Sequence, residues 1–274
     1  HSWTPVVYSV HESQRAELTK AGRDSLDGGT EMVVNPNEWQ TRGKKWQDVR
    51  TAINKAKRDG ITDVLTTFKE APFSVQTQIR EISAQWAGKK ALPEMGFTLG
   101  GVDELIDSRV RLLYAVDGNG KVLGVTSWLP TYRDGTIIGW TLDFMRHRTD
   151  SVNGIMEFLI ARMAERLRDE GNVEFMSLSA APLAGMGSNE SEHEESEVLR
   201  HALQMVADIM EPAYGFHSLF RFKLKFHPDE EKVYICYPDA AKLPQISLAV
   251  AQAYVPSLTP AEAMRFVRTI APRD

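Results

Sequence analysis

Val6–Val10 alternates around β-branched residues and predicts a strand, and Ser13–Ala21 predicts a short helix. Thr30–Val34 predicts a second strand, ended by Asn35-Pro36. In Trp46–Arg58 the apolar positions Val49, Ile53 and Ala56 recur at helical spacing, and Gly60 closes the helix. Asp63–Phe68 reads as a strand, and Ser74 reads as the cap of a helix from Val75 to Ala87. Val102–Ile106 predicts a short helix. Arg111–Val116 and Lys121–Trp128 flank Asp117-Gly118-Asn119-Gly120, a hairpin turn signal. Thr136–Asp143 follows as a third long strand. Asn153–Arg168 is an amphipathic helix ending at Gly171, and Glu174–Leu178 is a strand. Glu195–Ile209 predicts a helix, Leu219–Phe226 and Lys232–Cys236 a second hairpin, and Leu243–Ala253 and Pro260–Arg268 late helices.

From Asp63 onward the predicted order is β, α, α, β, β, β, α, β, α, β, β. This order is similar to the acyltransferase fold of Gcn5-related N-acetyltransferases. The β, α, β, α that precedes it reads as the tail of an earlier copy of the same unit. The expected fold class is therefore α/β (α+β), with tandem acetyltransferase-like domains, each a mixed and mostly antiparallel sheet flanked by helices. Residues 1–62 would be a partial first domain with a basic linking helix, and residues 63–274 the catalytic second domain.

Composition narrows the function classes. The apolar fraction is 42% and the charged fraction 25%, so a packed core is expected. A net charge of −5 argues against a surface coated in base, while leaving room for a local basic patch. Cys236 is the only cysteine, so no internal disulfide forms, and it reads as a small core residue. No segment approaches the roughly 18 consecutive apolar residues of a membrane span. The start, His1-Ser2-Trp3, lacks signal-peptide character and an initiator Met, so the chain reads as a fragment whose parent carries any transmembrane region elsewhere.

Three constellations could carry chemistry. Arg42, Lys44, Lys45, Arg50, Lys55, Lys57 and Arg58 put seven cations in seventeen positions. Such a face suits tRNA phosphates or anionic lipid, and equally a plain solvated helix. Asp143-Phe144-Met145-Arg146 is expected to open the loop after the third long strand. Acetyltransferases place a glycine-rich run there, whose backbone N–H groups bind the cofactor pyrophosphate at a helix start. Here the run is Arg146-His147-Arg148-Thr149-Asp150-Ser151-Val152-Asn153-Gly154, without paired glycines. Its bulky side chains would crowd a pyrophosphate, so the acyl donor should be something other than acetyl-CoA. Finally, Phe220, Phe222, Leu224 and Phe226 alternate with Arg221, Lys223 and Lys225, which predicts one apolar and one cationic strand face. A triad of Ser177 or Ser179 with His217 lacks the Gly-x-Ser-x-Gly elbow. The histidines form no metal-binding pattern.

Several segments together resemble the soluble synthase domain of the aminoacyl-phosphatidylglycerol synthases, the multiple peptide resistance factor family, over roughly residues 3–240. They are Arg42-Gly43-Lys44-Lys45 leading into Val49–Ala56 and Gly60, then Asp143–Arg146, Asn153–Leu159, Ala181-Pro182-Leu183, Tyr214-Gly215-Phe216 and Phe222–Phe226. Gly215 departs from the family's usual Asn, and the first domain is truncated at its start. The resemblance implies transfer of a lysyl or alanyl group from aminoacyl-tRNA to a hydroxyl of a membrane lipid such as phosphatidylglycerol, at the cytoplasmic face of the membrane. It implies Asp143, Arg146, Lys223 and Glu211 as catalytic positions. It also makes Arg42, Lys44, Lys45, Arg50, Lys225 and Tyr214 substrate-binding positions, for aminoacyl-tRNA and anionic lipid. No cofactor and no metal are expected, because an aminoacyl ester is already activated. Asp143 would hold the substrate ammonium or take the hydroxyl proton, and Arg146 or Lys223 would bind lipid phosphate or the developing oxyanion. The alternatives are an acetyl-CoA-type N-acetyltransferase, an aminoacyl-tRNA-dependent transferase acting on a peptide or peptidoglycan acceptor, and an inactive binding module.

Overall fold

Eight strands form one sheet in the order β1-β8-β2-β7-β6-β5-β4-β3. The computed structural model describes residues 5–88, 100–182 and 215–254. In chain order the elements are β1 (Val7–Val10), α1 (Glu12–Lys20), β2 (Asp24–Val34), α2 (Gln47–Arg58), β3 (Thr62–Thr66), α3 (Phe73–Gly88), β4 (Arg111–Val116), β5 (Val122–Arg133) and β6 (Thr136–His147). There follow α4 (Ile155–Glu170), β7 (Phe175–Pro182), α5 (Phe216–Leu224), β8 (Asp229–Tyr237) and α6 (Leu243–Tyr254). Among the described residues every strand pairing is antiparallel except β6 with β7. The mostly antiparallel sheet flanked by helices matches the expected class. The strands on the two sides of the boundary expected at residue 62 share this sheet, since β2 pairs with both β7 and β8.

Two cores cover the two faces. On one, Leu113, Trp128, Trp140, Leu142 and Met176 pack with Val49 and Ala56 of α2 and with α4. On the other, Leu112, Tyr114, Val125 and Phe144 pack with Val75, Ile79 and Ile82 of α3. Of the face expected on α2, Val49 and Ala56 are buried and Ile53 is partly buried. Gly171 ends α4 in the left-handed conformation, as its position suggested.

Three local expectations are corrected. Leu219–Phe226 is not a strand; it lies in α5 and the turn after it. Phe222 and Phe226 are four residues apart, which is about one helical turn and also two repeats of strand alternation, so the run satisfies both periods. Docking on Trp39, Trp46 and α4 decides for the helix, with Phe226 fully buried. Burying such a ring contributes roughly 2–3 kcal/mol. Ser74 is not a cap, because α3 already begins at Phe73 and the N–H groups of Val75 and Gln76 both donate to the Pro72 carbonyl. Asp143–Arg146 is not a loop, because β6 runs on to His147. The expected Glu195–Ile209 and Pro260–Arg268 helices lie outside the described residues. Cys236 is buried in β8, as expected.

Candidate functional site

The sheet opens where its one parallel pair runs out. The register between β6 and β7 covers Gly139–Thr141 against Phe175–Ser177. Beyond it, each strand carries an extra residue. On β6, Thr126 pairs Met145 while Trp128 pairs Leu142, which places a bulge at Asp143-Phe144. The Ser127 hydroxyl fills it by accepting the Phe144 N–H at 3.2 Å. On β7, Glu31 pairs Ala180 while Val33 pairs Ser177, which places a bulge at Leu178-Ser179, and Ser179 takes a positive φ of 67°. The Ser179 hydroxyl donates to the Leu142 carbonyl across the parting. Bulges of this kind bend a strand and re-aim its side chains. The one on β6 does so here: Trp140 and Leu142 face the α4 core, yet Phe144, of the same parity, faces α3.

Asp143 stands at the first bulge. The Gly100 N–H is hydrogen-bonded to its carboxylate, and Glu104 lies near. Burial pushes the Asp143 carboxyl above its ordinary value; the Glu104 charge adds to this, and the Gly100 hydrogen bond pulls back. A Cβ on Gly100 would fall 1.8 Å from Asp143 Oδ2, so any side chain there has to displace the carboxylate. The neighbouring Gly101 N–H donates to Glu104 at 2.7 Å.

Arg146 is buried, with 3% of its surface exposed. Its guanidinium lies 4.1 Å from the centre of the Trp86 ring and 4.5 Å from that of Phe144, and donates to the Ser83 hydroxyl at 2.6 Å. These contacts hold it against α3, each cation–π contact contributing on the order of 1–2 kcal/mol when desolvated.

Lys223 comes from α5 on the β7 side of the parting. It is 3% exposed, and its ammonium donates to the carbonyls of Ser179 (3.0 Å) and Ala180 (3.2 Å). Two consecutive carbonyls reach one nitrogen because the backbone turns left-handed at Ser179. Burial pushes the Lys223 ammonium down to about 8, while the Glu31 carboxylate pulls the other way. Behind it, Glu31 accepts from the Ser177 hydroxyl and from His11 Nε2 at 2.5 Å.

The remaining expected positions divide. Arg42, Lys44 and Lys45 are exposed. The Lys45 carbonyl contacts His227 Nε2 at 3.1 Å, which ties this basic loop to the end of α5. Arg50 folds back and donates to the Thr41 carbonyl at 2.6 Å and to that of Gly43. Lys225 pairs with Glu157 of α4 at 2.8 Å. Glu211 and Tyr214 lie outside the described residues. The hydroxyls of Ser177 and Ser179 are engaged by Glu31 and Leu142, so the triad reading has no support here. Sequence reasoning missed Glu31, His11, Gly100, Glu104, Ser83 and Trp86. Among the described residues no group of metal-ligating side chains occurs, and no helix is long and apolar enough to cross a membrane.

The segment from Arg148 to Gly154 is closed on itself. The Arg148 N–H donates to the Leu123 carbonyl and the Ser151 N–H to that of Arg148. At Gly154, φ is 90°, and a Cβ would fall 2.9 Å from that of Ala52. The start of α4 is thus covered by α2.

Comparison with known proteins places this arrangement. The family described as "Phosphatidylglycerol lysyltransferase, C-terminal" matches residues 1–237. An uncharacterised protein of Corynebacterium glutamicum is 40% identical over 253 residues, which are 92% of this chain and 31% of that protein. The phosphatidylglycerol lysyltransferase of Bacillus subtilis is 28% identical over 238 residues, 85% of this chain and 26% of that enzyme. The chain thus spans about a third or less of the length of these relatives. The structure of L-PGS from Bacillus licheniformis superposes with a TM-score of 0.72 at 23% identity, over 91% of this chain and 72% of that one.

Proposed function

Because the chain belongs to the family of phosphatidylglycerol lysyltransferase C-terminal domains, we propose that the β6–β7 parting is where an aminoacyl group passes from tRNA to a lipid hydroxyl. The acceptor is phosphatidylglycerol, and the group is lysyl, with alanyl as the alternative. The observation that carries this reading is the pair of facing bulges, with Asp143 on one strand and the Lys223 ammonium seated on the other. The lipid hydroxyl attacks the aminoacyl ester carbonyl, the new ester bond forms, and the tRNA ribose oxygen leaves with a proton. Asp143, whose raised affinity for protons suits a base, takes the hydroxyl proton or holds the aminoacyl ammonium. Lys223 stabilises the oxyanion or a lipid phosphate. Arg146 acts by holding β6 against Trp86 and Ser83 rather than by meeting phosphate directly.

An acyl carrier other than coenzyme A is favoured by packing. In the run where such a cofactor site would lie, the Arg148 N–H is spent on the Leu123 carbonyl and the Ser151 N–H on that of Arg148, and Ala52 packs close against Gly154. Arg42, Lys44 and Lys45 are exposed near the end of α5, which supports their use as a phosphate-binding edge for tRNA or for an anionic lipid surface at the cytoplasmic face of a membrane. The test is incubation of the protein with lysyl- or alanyl-tRNA and phosphatidylglycerol in mixed micelles, read by mass spectrometry, beside calorimetry with acetyl-CoA. Aminoacyl-phosphatidylglycerol is expected. Micromolar acetyl-CoA binding without lipid product would overturn the reading.

A further inference from the structure

The proposed transfer uses Lys223 but leaves unexplained the charged cluster behind it. Glu31 lies on β2, with 12% of its side chain exposed. A carboxylate this buried is costly unless charges and hydrogen bonds compensate it. Three elements do so. His11, immediately before α1, donates from Nε2 to one carboxylate oxygen at 2.5 Å. Ser177 on β7 donates to the other. Lys223 on α5 contributes its charge. The Ser177 hydroxyl also accepts the Ser179 N–H at 2.9 Å, so Glu31 grips the very backbone turn whose carbonyl holds Lys223. Glu231 of β8 stands directly opposite Glu31 in register, and His11 Nδ1 lies 3.9 Å from it. His11 thus sits between two carboxylates that would otherwise repel each other across the strands.

We propose that Glu31, held by His11, is a positioning residue that fixes both the seat and the charge of Lys223. The seat is fixed through Ser177 and the Ser179 turn, and the charge through the field of the carboxylate. The groups that bear on Lys223 are the Ser179 and Ala180 carbonyls from β7 and Glu31 from β2, with His11 and Glu231 behind Glu31. Burial alone would push Glu31 up, but the His11 and Ser177 hydrogen bonds and the His11 and Lys223 charges hold it below its ordinary value. His11 is raised by its hydrogen bond to Glu31, against its own burial. Removing the Glu31 charge removes an attraction for the ammonium, whereas His11 acts on the carboxylate, which it holds by its hydrogen bond.

This deepens the transfer reading and rests on it only for activity. The test is an NMR titration of the Lys223 side chain in the 274-residue protein, with its signal assigned by loss in Lys223→Arg. Glu31→Gln is expected to lower the Lys223 midpoint by about one unit or more. Glu31→Asp, which keeps the charge on a shorter arm, should restore part of that shift. A purely structural role for Glu31 would not produce this graded order from Gln through Asp to Glu. An unchanged midpoint in a folded Glu31→Gln variant overturns the proposal. If that variant does not fold, an unchanged midpoint in a folded Glu31→Asp variant does so. In parallel, the pH–rate profile of lipid aminoacylation should follow the same displacements. Shifted midpoints with an unshifted rate profile would keep the positioning role and remove Lys223 from the transfer chemistry.

Discussion

The two sides of the parting solve the problem of a buried charge in opposite ways. On the β6 side, Asp143 meets burial and a second carboxylate, Glu104, and is offset by one backbone hydrogen bond from Gly100. Its charged form is disfavoured, and it is ready to hold a proton or a cation. On the β7 side, Lys223 is seated on two carbonyls, with Glu31 and His11 ranked behind it. Its position is fixed before any ligand arrives. The difference teaches that the acid is poised and the cation is preorganised, a division that acyl transfer between two bulky carriers can use.

The sharpest way to break that comparison is at Asp143. Asp143→Asn should reduce aminoacyl-lipid formation by about 10²–10⁴-fold, the usual scale of general-base assistance. The same change should leave the protein at least as stable. The carboxyl titrates above its ordinary value in the folded chain, so the stability it contributes is present at low pH and is lost as pH rises through the folded value. Asn removes that loss. Thermal melts at pH 5 and pH 8 should therefore show the variant gaining on the parent at the higher pH. A variant that melts earlier at both would count against a poised acid.

Gly100→Ala comes next. The added methyl group has to displace the Asp143 carboxylate, 1.8 Å from where it would sit, so transfer should fall by about 10–100-fold with little loss of fold. Steady-state kinetics beside a melting curve would separate the two. Activity should also fall as pH rises through about 8, where Lys223 loses its proton. A rate that stays level up to pH 9.5 would mean that the ammonium is dispensable. Replacing both Lys44 and Lys45 by Ala should have the smallest effect, a few-fold rise in the tRNA concentration needed for half-maximal rate and a shallower salt dependence.

The sheet was largely legible because its elements carry their own signals: the Asp117–Gly120 turn, the start of the third long strand and the Gly171 stop all stand where the pattern puts them. The α5 helix was not, because Phe222 and Phe226 fit two periods at once and only their docking surface decides. The first six residues of β2 were missed because Asp24, Asp27 and a Gly-Gly pair are poor strand formers that β8 pairing overrides. Asp143 and Lys223 stood out only through the family resemblance. Nothing in the sequence links His11, Glu31 and Ser177, which are 20 and 146 positions apart along the chain and meet only through the β2–β7 register. Arg50, a cation expected to bind phosphate, has a local role that the sequence did not suggest: it donates to carbonyls of its own loop.

The strand order also limits how this site can be inherited or transplanted. β8 lies between β1 and β2, and β7 leans on β2. A shortened protein begun at residue 63 would strip β8 of both neighbours and remove Glu31, the anchor behind the α5 lysine. Any graft of the proposed site onto another scaffold must therefore carry the opening 34 residues along with those from residue 63 onward.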